Sequence, residues 1–306
     1  MLFFIPFRRI GSERPQSPTD FSSKSIGLGG EAVRGAYGKI GSFLRRGLSA
    51  PVHGGFDAAA PARAADVVSS NVVGYKKLTL TGNNYNMISP MFVNVGGEPK
   101  AIKDIFSDNT VFQAADNSGE ADYISVWENG GYNGSYFYSS DAADETEDAK
   151  WASEDDSFAE TKDELPENCG FWLYRRGAQT EAVLAGEVAT DDTTIKLAAY
   201  TYTMVANPFA ADLPIKTILP ATTTDVIPSA DNSGEADYIS IWRNGGYSAS
   251  YFYSSDAGDE DADAKWASEE DSFSETEDSI APGEAFWIFH RGPSITIKLS
   301  APYTLN

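Results

Sequence analysis

Two stretches of this 306-residue sequence are rich in carboxylates, the side-chain groups that bind hard cations. Residues 141–156 contain eight Asp or Glu side chains, and residues 256–271 contain eight more. Crowded carboxylates repel one another unless a cation or water screens them, and calcium accepts about six to eight oxygen ligands in irregular geometry. Each stretch belongs to a longer polar segment, residues 141–168 and the equivalent residues 256–283, and we call these segments the acidic loops. We interpret them as calcium sites, with a solvated acidic surface as the alternative. The predicted ligands are Asp144, Asp148, Asp155, Asp259, Asp261, Asp263 and Glu270.

The second acidic loop has a spacing similar to that of a calcium-binding loop. Asp259, Asp261 and Asp263 alternate, and Glu270 stands at the twelfth position, where such loops place a bidentate carboxylate. The sixth position is Ala264 instead of glycine, and the first loop has Thr146 where the second has Asp261. The pattern therefore departs from a calcium loop at two points.

Tyrosines are concentrated in the strand-like segments that precede the acidic loops. Tyr136 and Tyr138 should point to one face of a strand and Phe137 to the other, because successive side chains alternate. Rows of exposed rings can stack on sugars, so one interpretation is a carbohydrate-binding face. The alternative is packing in the core and between strands. The candidate carbohydrate-binding residues are Tyr136, Tyr138, Trp151, Tyr251, Tyr253 and Trp266.

These segments belong to an internal duplication. Residues 115–177 align without a gap with residues 230–292, at an offset of 115, and roughly two thirds of the positions are identical. A repeat of this length is a small domain and not a solenoid unit. We therefore predict β domains at 65–189 and 190–306, with residues 1–64 as a disordered leader, an export segment or the product of a wrongly chosen start codon.

Groups suited to nucleophilic or acid–base catalysis are scarce in this sequence. Its histidines are His53, in the leader, and His290, and its only cysteine is Cys169. His290 aligns with Arg175 in the other repeat and Cys169 aligns with Glu284, so neither group is duplicated. The sequence also lacks nucleophile-elbow, phosphate-loop and zinc-ligand motifs. We therefore predict that the protein is not an enzyme.

Charge is distributed unevenly along the chain. The net charge is −22, but residues 1–64 carry nine Lys or Arg and four Asp or Glu, which leaves −27 for the remainder. A body this acidic repels phosphate backbones, so we expect no binding to nucleic acid. No apolar run approaches the roughly 18 residues of a membrane span, so no transmembrane segment is predicted.

The elements that must position these residues are short strands. Alternating segments such as ADYISVW (121–127), followed by Glu128-Asn129-Gly130-Gly131, predict antiparallel hairpins. The fold predicted is all-β, with two tandem antiparallel β-sandwich or barrel-like domains. The strand FWLYRR (171–176) is apolar on both faces and needs cover on both sides. We expect the acidic loop, anchored by Trp151 and Phe158, to supply that cover; the second domain is the alternative.

The segments YNMISPMF (85–92), YTMVANPF (202–209) and PGEAFWIFHRG (282–292) resemble a family of secreted tandem β-domain proteins of planctomycete, verrucomicrobia and lentisphaera bacteria. The resemblance covers about residues 71–306. It implies export and a mature chain that begins near Ala65, but it implies no activity, because the family has no established function. In the first repeat, residues 166–170 depart from the corresponding Pro-Gly motif of the second.

Together, these features predict an exported, non-enzymatic protein with a structural or adhesive role at the cell surface or outside the cell. The alternative is a carbohydrate-binding protein that uses the exposed Tyr and Trp side chains. Calcium bound to the acidic loops could stabilise a protein of either kind. The expected partners are a second copy of the chain, the cell envelope or an extracellular polysaccharide.

Overall fold

A computed structural model describes residues 72–94, 98–141, 149–257 and 264–303. The described chain is all-β, as predicted, and its strands pair antiparallel. The predictions for residues 1–64 lie outside the described residues. The described residues belong to one compact unit, in which residues 72–189 are called the first half and residues 190–303 the second half.

Within the described residues, the first half contains two sheets and one short 3-10 turn, Ile102–Asp104. Its eight strands are β1 (Val73–Leu80), β2 (Asn84–Ile88), β3 (Phe92–Val93), β4 (Tyr123–Glu128), β5 (Gly131–Ser139), β6 (Lys150–Ser153), β7 (Phe171–Arg175) and β8 (Thr180–Val188). One sheet has the order β1-β8-β3, and the other has the order β2-β7-β4-β5-β6.

The second half repeats this arrangement, with a 3-10 turn at Ile215–Thr217. Its strands are β9 (Thr193–Leu197), β10 (Thr201–Ala206), β11 (Leu213–Pro214), β12 (Leu219–Pro220), β13 (Tyr238–Arg243), β14 (Gly246–Ser254), β15 (Lys265–Ser268), β16 (Ser279–Ile280), β17 (Ala285–His290) and β18 (Ile295–Leu299). The three-stranded sheet has the order β12-β18-β9, the five-stranded sheet has the order β10-β17-β13-β14-β15, and β11 pairs with β16. Each of these sheets is built from strands of one half.

The predicted hairpin signals form the β4–β5 and β13–β14 turns. Asn129 and Gly130 both have positive φ, 52° and 82°, and Asn244 and Gly245 have the same values. Two successive left-handed residues give a type I′ turn, whose twist matches that of the flanking strands, and Asn-Gly is the residue pair that adopts it most readily.

A sandwich core lies between the two main sheets of each half. In the first half, Leu80 and Leu184 from the three-stranded sheet meet Ile124 and Phe171 from the five-stranded sheet in one buried cluster. The second half has an equivalent cluster. The inner face of each five-stranded sheet is therefore covered by the three-stranded sheet of its own half.

The opposite face of each five-stranded sheet is covered by the other half of the chain. Met87 and Trp172 of the first half form a third buried cluster with Met204, Ala285 and Trp287 of the second. The expectation that the acidic loop covers this face is wrong, and the alternative, cover by the second half, is the arrangement found. The two sheets present matching apolar faces, which bury each other more completely than a polar loop would.

Candidate functional site

The acidic loops are described only in part. Asp144, Asp148, Asp259, Asp261 and Asp263 lie outside the described residues, whereas Asp155 and Glu270 are exposed. The backbone N–H groups of Asp155 and Glu270 donate to the hydroxyls of Ser153 and Ser268, each at 3.2 Å. Within the described ranges, no group of three or more His, Cys, Asp or Glu side chains is arranged to hold a metal ion. Calcium binding by these loops stays a prediction.

The aromatic residues proposed as a sugar-binding face are core residues. Tyr136, Tyr138, Trp151, Tyr251 and Trp266 are at most 8% exposed, and Tyr253 is partly buried against the second core. The interpretation of these rings as an exposed platform is therefore wrong, and core packing accounts for them. Strand alternation shows that the tyrosines share a face, but it does not show which face is solvated.

Hydrogen bonds satisfy the polar groups of these buried rings. The indole N–H of Trp151 donates to Asn109 Oδ1 at 3.1 Å, and that of Trp266 donates to the Ile218 carbonyl at 2.8 Å. The Tyr136 hydroxyl donates to Asp163 Oδ2 at 3.0 Å. Burial, together with this carboxylate, raises the pKa of Tyr136 to about 12. The two indole contacts anchor β6 and β15, which lie within the acidic loops.

Phe158 and Phe273 occupy equivalent positions and are the most exposed phenylalanines of the described chain, at 74% and 75%. The expectation that Phe158 anchors its loop is wrong, because only Trp151 of the two proposed anchors is buried. The Phe158 N–H donates to Asp156 Oδ1 at 3.3 Å, and the Ser139 hydroxyl donates to the Ser157 carbonyl at 2.9 Å. The second loop repeats both contacts at 3.2 and 2.9 Å. Each loop therefore holds a phenyl ring out in solvent.

A buried carboxylate in each half was missed in the sequence. Asp122 accepts hydrogen bonds from the Arg175 guanidinium and from the Arg176 N–H, the latter at 2.6 Å. Asp237 accepts from the Arg291 N–H at 2.8 Å and contacts His290 Nδ1 at 2.7 Å. The basic residues at the C-terminal ends of β7 and β17 therefore hold these aspartates. The retention of ADNSGEAD in both repeats is the signal that could have revealed them.

His290 is fully buried, and each of its ring nitrogens faces an oxygen acceptor. Its Nε2 lies 2.6 Å from the Pro293 carbonyl, which can only accept, and its Nδ1 faces the Asp237 carboxylate. Both ring nitrogens must therefore donate. Burial lowers the pKa of His290, but the hydrogen bonds to Asp237 and Pro293 and the Asp237 charge outweigh it, so the pKa is raised. His290 therefore contacts the buried aspartate of the second half as Arg175 does in the first half.

Cys169 is buried between the halves. Its thiol lies 3.3 Å from the Trp127 carbonyl, and burial, with the charge of Glu128, raises its pKa to about 12. A nucleophilic cysteine needs an accessible thiolate. Cys169 and His290, the two groups in the described chain most suited to catalysis, are therefore both buried.

An approximate two-fold axis relates the halves across their interface. Trp127 donates to the Tyr202 carbonyl, and its counterpart Trp242 donates to the Tyr85 carbonyl, each at 3.0 Å. Trp127 also meets Trp287, and Trp172 meets Trp242, with ring centroids 5.2 Å apart and planes at 90° in both pairs. Because each contact occurs twice with the halves exchanged, the chain forms an intramolecular pseudo-dimer.

Gly170 lies close to the axis, opposite its own counterpart, Ala285. A Cβ atom at Gly170 would fall within 3.0 Å of the Ala285 Cβ. Backbone hydrogen bonds flank this point, from the Ser89 N–H to the Gly283 carbonyl and from the Ala206 N–H to the Asn168 carbonyl, both at 2.9 Å. The departure of the first repeat from the second at residue 170 therefore permits the close approach of the two halves.

The two sides of the interface differ in charge and in shape. On one side, Arg243 and Glu284 form an ion pair. On the other side, the equivalent positions are Glu128 and Cys169, and a groove of about 530 Å³ opens between the halves. We call this space the interface groove. Its walls come from the β4–β5 turn, residues 166–169 and the β9–β10 region.

The chain was compared with protein-family models, with curated proteins and with solved structures. No family model matches the chain, and no match was found among curated proteins or among solved structures. No helix in the described part of the chain has both the length and the apolar character needed to cross a lipid bilayer.

Proposed function

We propose that this protein is a non-enzymatic structural or adhesive protein of the cell surface or extracellular space. It attaches to a basic surface with apolar recesses through Phe158 and Phe273, the exposed phenyl rings of its two acidic loops. The observation that carries the proposal is the pair of exposed phenyl rings, Phe158 and Phe273, each beside several carboxylates.

The local structure of each loop supports a binding role. A phenyl ring exposed to water forgoes the roughly 1.5–3 kcal/mol that burial provides, so a partner that covers it gains that free energy. The hydrogen bonds that hold residues 153–158 reduce the entropy lost when the loop binds. Carboxylates around the ring favour a positively charged partner.

Duplication adds a second effect. The packed interface between the halves fixes Phe158 and Phe273 relative to each other, so one chain presents two equivalent contacts. Two linked contacts can exceed the affinity of either alone by about 10²–10⁴ when both engage the same surface. This effect suits attachment to a repetitive envelope or matrix, where each contact is weak.

The test is cosedimentation of the full-length chain with envelopes prepared from the organism that encodes it. We expect Phe158→Ala and Phe273→Ala each to weaken binding, and the double variant to lose at least about tenfold more than either single variant. Binding should also weaken with salt. The controls are Tyr75→Ala and Val226→Ala, since these side chains are 77% and 68% exposed but lie outside the acidic loops. Unchanged sedimentation of the double variant would refute the proposal.

A further inference from the structure

The two halves differ at one pair of equivalent positions beside their interface, which we call the corner: residues 243 and 284 in the second half and residues 128 and 169 in the first. In the second half, the Arg243 guanidinium donates to Glu284 through Nε and Nη2, both at 2.7 Å, and through Nη2 to the Ser279 carbonyl at 3.0 Å. This corner is therefore closed by a cation of the chain itself. In the first half, Glu128 replaces the arginine, and the interface groove is open.

The interface groove has fixed aromatic and apolar walls. Trp127 is held by its hydrogen bond to the Tyr202 carbonyl and by its edge contacts with Tyr132 and Trp287. Tyr202 and Met204 line the same space from the second half. Because these rings are already ordered, a ligand that enters loses little free energy in arranging them.

The charges at the groove favour a cation. Glu128 and Glu167 stand on the wall supplied by the first half, and Lys196 stands on the wall supplied by the second. Across the described ranges, Glu128 forms no ion pair, unlike the residues at the equivalent corner. The groove thus offers an exposed carboxylate beside an apolar, aromatic surface, in a chain whose net charge is −22.

We propose that the interface groove binds an arginine-type side chain of a peptide or protein partner. The guanidinium pairs with the Glu128 carboxylate, and the aliphatic stem lies against Trp127 and Tyr202. A guanidinium is planar, stacks on aromatic rings and pairs with a carboxylate through two parallel hydrogen bonds, so it fits this combination of groups. This site is separate from the acidic loops and does not depend on the adhesive role proposed for them.

The probe is N-acetylarginine amide, titrated into the full-length protein labelled with ¹⁵N. The chain has six tryptophans, so six indole N–H signals are expected, and Trp127→Phe assigns the signal of Trp127. We expect the Trp127 signal to shift with saturable dependence on the probe. The Trp242 signal, from the corner that Arg243 already fills, is the internal control and should not move. The citrulline analogue, which has the same stem without the charge, should bind at least tenfold more weakly.

Two variants test the assignment of the carboxylate. Glu128→Gln should weaken binding of the probe about tenfold, since one charge-assisted pair is lost. The double variant Glu128→Arg/Cys169→Glu installs the ion pair of the other corner and should abolish binding, while unshifted indole signals elsewhere show that the fold is kept. Equal shifts of Trp127 and Trp242, equal binding of the citrulline analogue, or unchanged affinity in Glu128→Gln would each overturn the proposal.

Discussion

Substitution of Gly170 by alanine should push the two halves of the chain apart. A Cβ atom there would lie within 3.0 Å of the Ala285 Cβ, 3.1 Å from Met204 Cγ and 3.3 Å from the Ile88 carbonyl oxygen. Carbon atoms prefer separations of about 3.5–4.0 Å, so the facing strands must separate by at least ~0.5 Å. The neighbouring atoms belong to backbone and to a buried cluster, which leaves the new methyl group no free space.

The expected loss follows from this overpacking. Extra methyl groups in a tightly packed core typically cost about 1–3 kcal/mol. For a unit of this size, each 1 kcal/mol lowers the melting temperature by about 2–4 °C. Urea unfolding followed by tryptophan fluorescence measures the change directly, because the indoles of Trp127, Trp172, Trp242 and Trp287 meet at the interface between the halves.

The reciprocal variant makes the test specific to the contact across the axis. Ala285→Gly alone loses a buried methyl group and adds backbone freedom, at about 1–2 kcal/mol in total. In Gly170→Ala/Ala285→Gly the pair again contains one methyl group, so the double variant should be more stable than the sum of the two single effects predicts. Gly246→Ala is the control, because a Cβ there meets nothing within 4 Å. Additive losses, or a Gly170→Ala variant within about 0.5 kcal/mol of the wild type, would refute the geometry of the interface.

Three further measurements check other parts of the structure. The pKa of His290 is raised, so its contribution to stability is complete below about pH 6.5 and is lost as pH rises through the pKa of the folded state. His290→Arg, which copies Arg175, should remove this loss in urea titrations at successive pH values. Parallel pH profiles of the variant and the wild type would contradict a raised pKa of the ring. At pH 8, the thiolate fraction of Cys169 should be on the order of a thousandfold lower than that of a free thiol of pKa about 8.5. Ellman's reagent should therefore label Cys169 only after unfolding. Rapid labelling of the folded chain would show that the thiol is accessible. If the acidic loops bind calcium, millimolar calcium should raise the melting temperature relative to EDTA, because a hundredfold excess over Kd adds about 2.7 kcal/mol to the free energy of unfolding. Asp259→Asn/Asp263→Asn should abolish this shift. An equal shift with magnesium would indicate screening alone.

Features that depend on neighbouring residues were predictable from the sequence. Alternation predicted the strands, and the Asn129-Gly130 dipeptide predicted the β4–β5 hairpin. The reason is that turn conformation and side-chain alternation are properties of a few consecutive residues. The resemblance to secreted bacterial proteins and the calcium-loop spacing stay predictions.

Features that depend on which surfaces meet were decided only by the tertiary structure. Trp172 and Phe158 are both aromatic residues in apolar or mixed segments, yet one is buried between the halves and the other is exposed. Periodicity shows that β7 has two apolar faces, but any apolar partner satisfies the pattern equally well. Likewise, the sequence does not distinguish Asp122 from the other acidic residues. Its partner, Arg175, is 53 residues away and reaches it only in the folded chain. The sequence determined the repeat and its local elements, while long-range packing decided the partners of each face, because no local pattern records which distant surface is complementary.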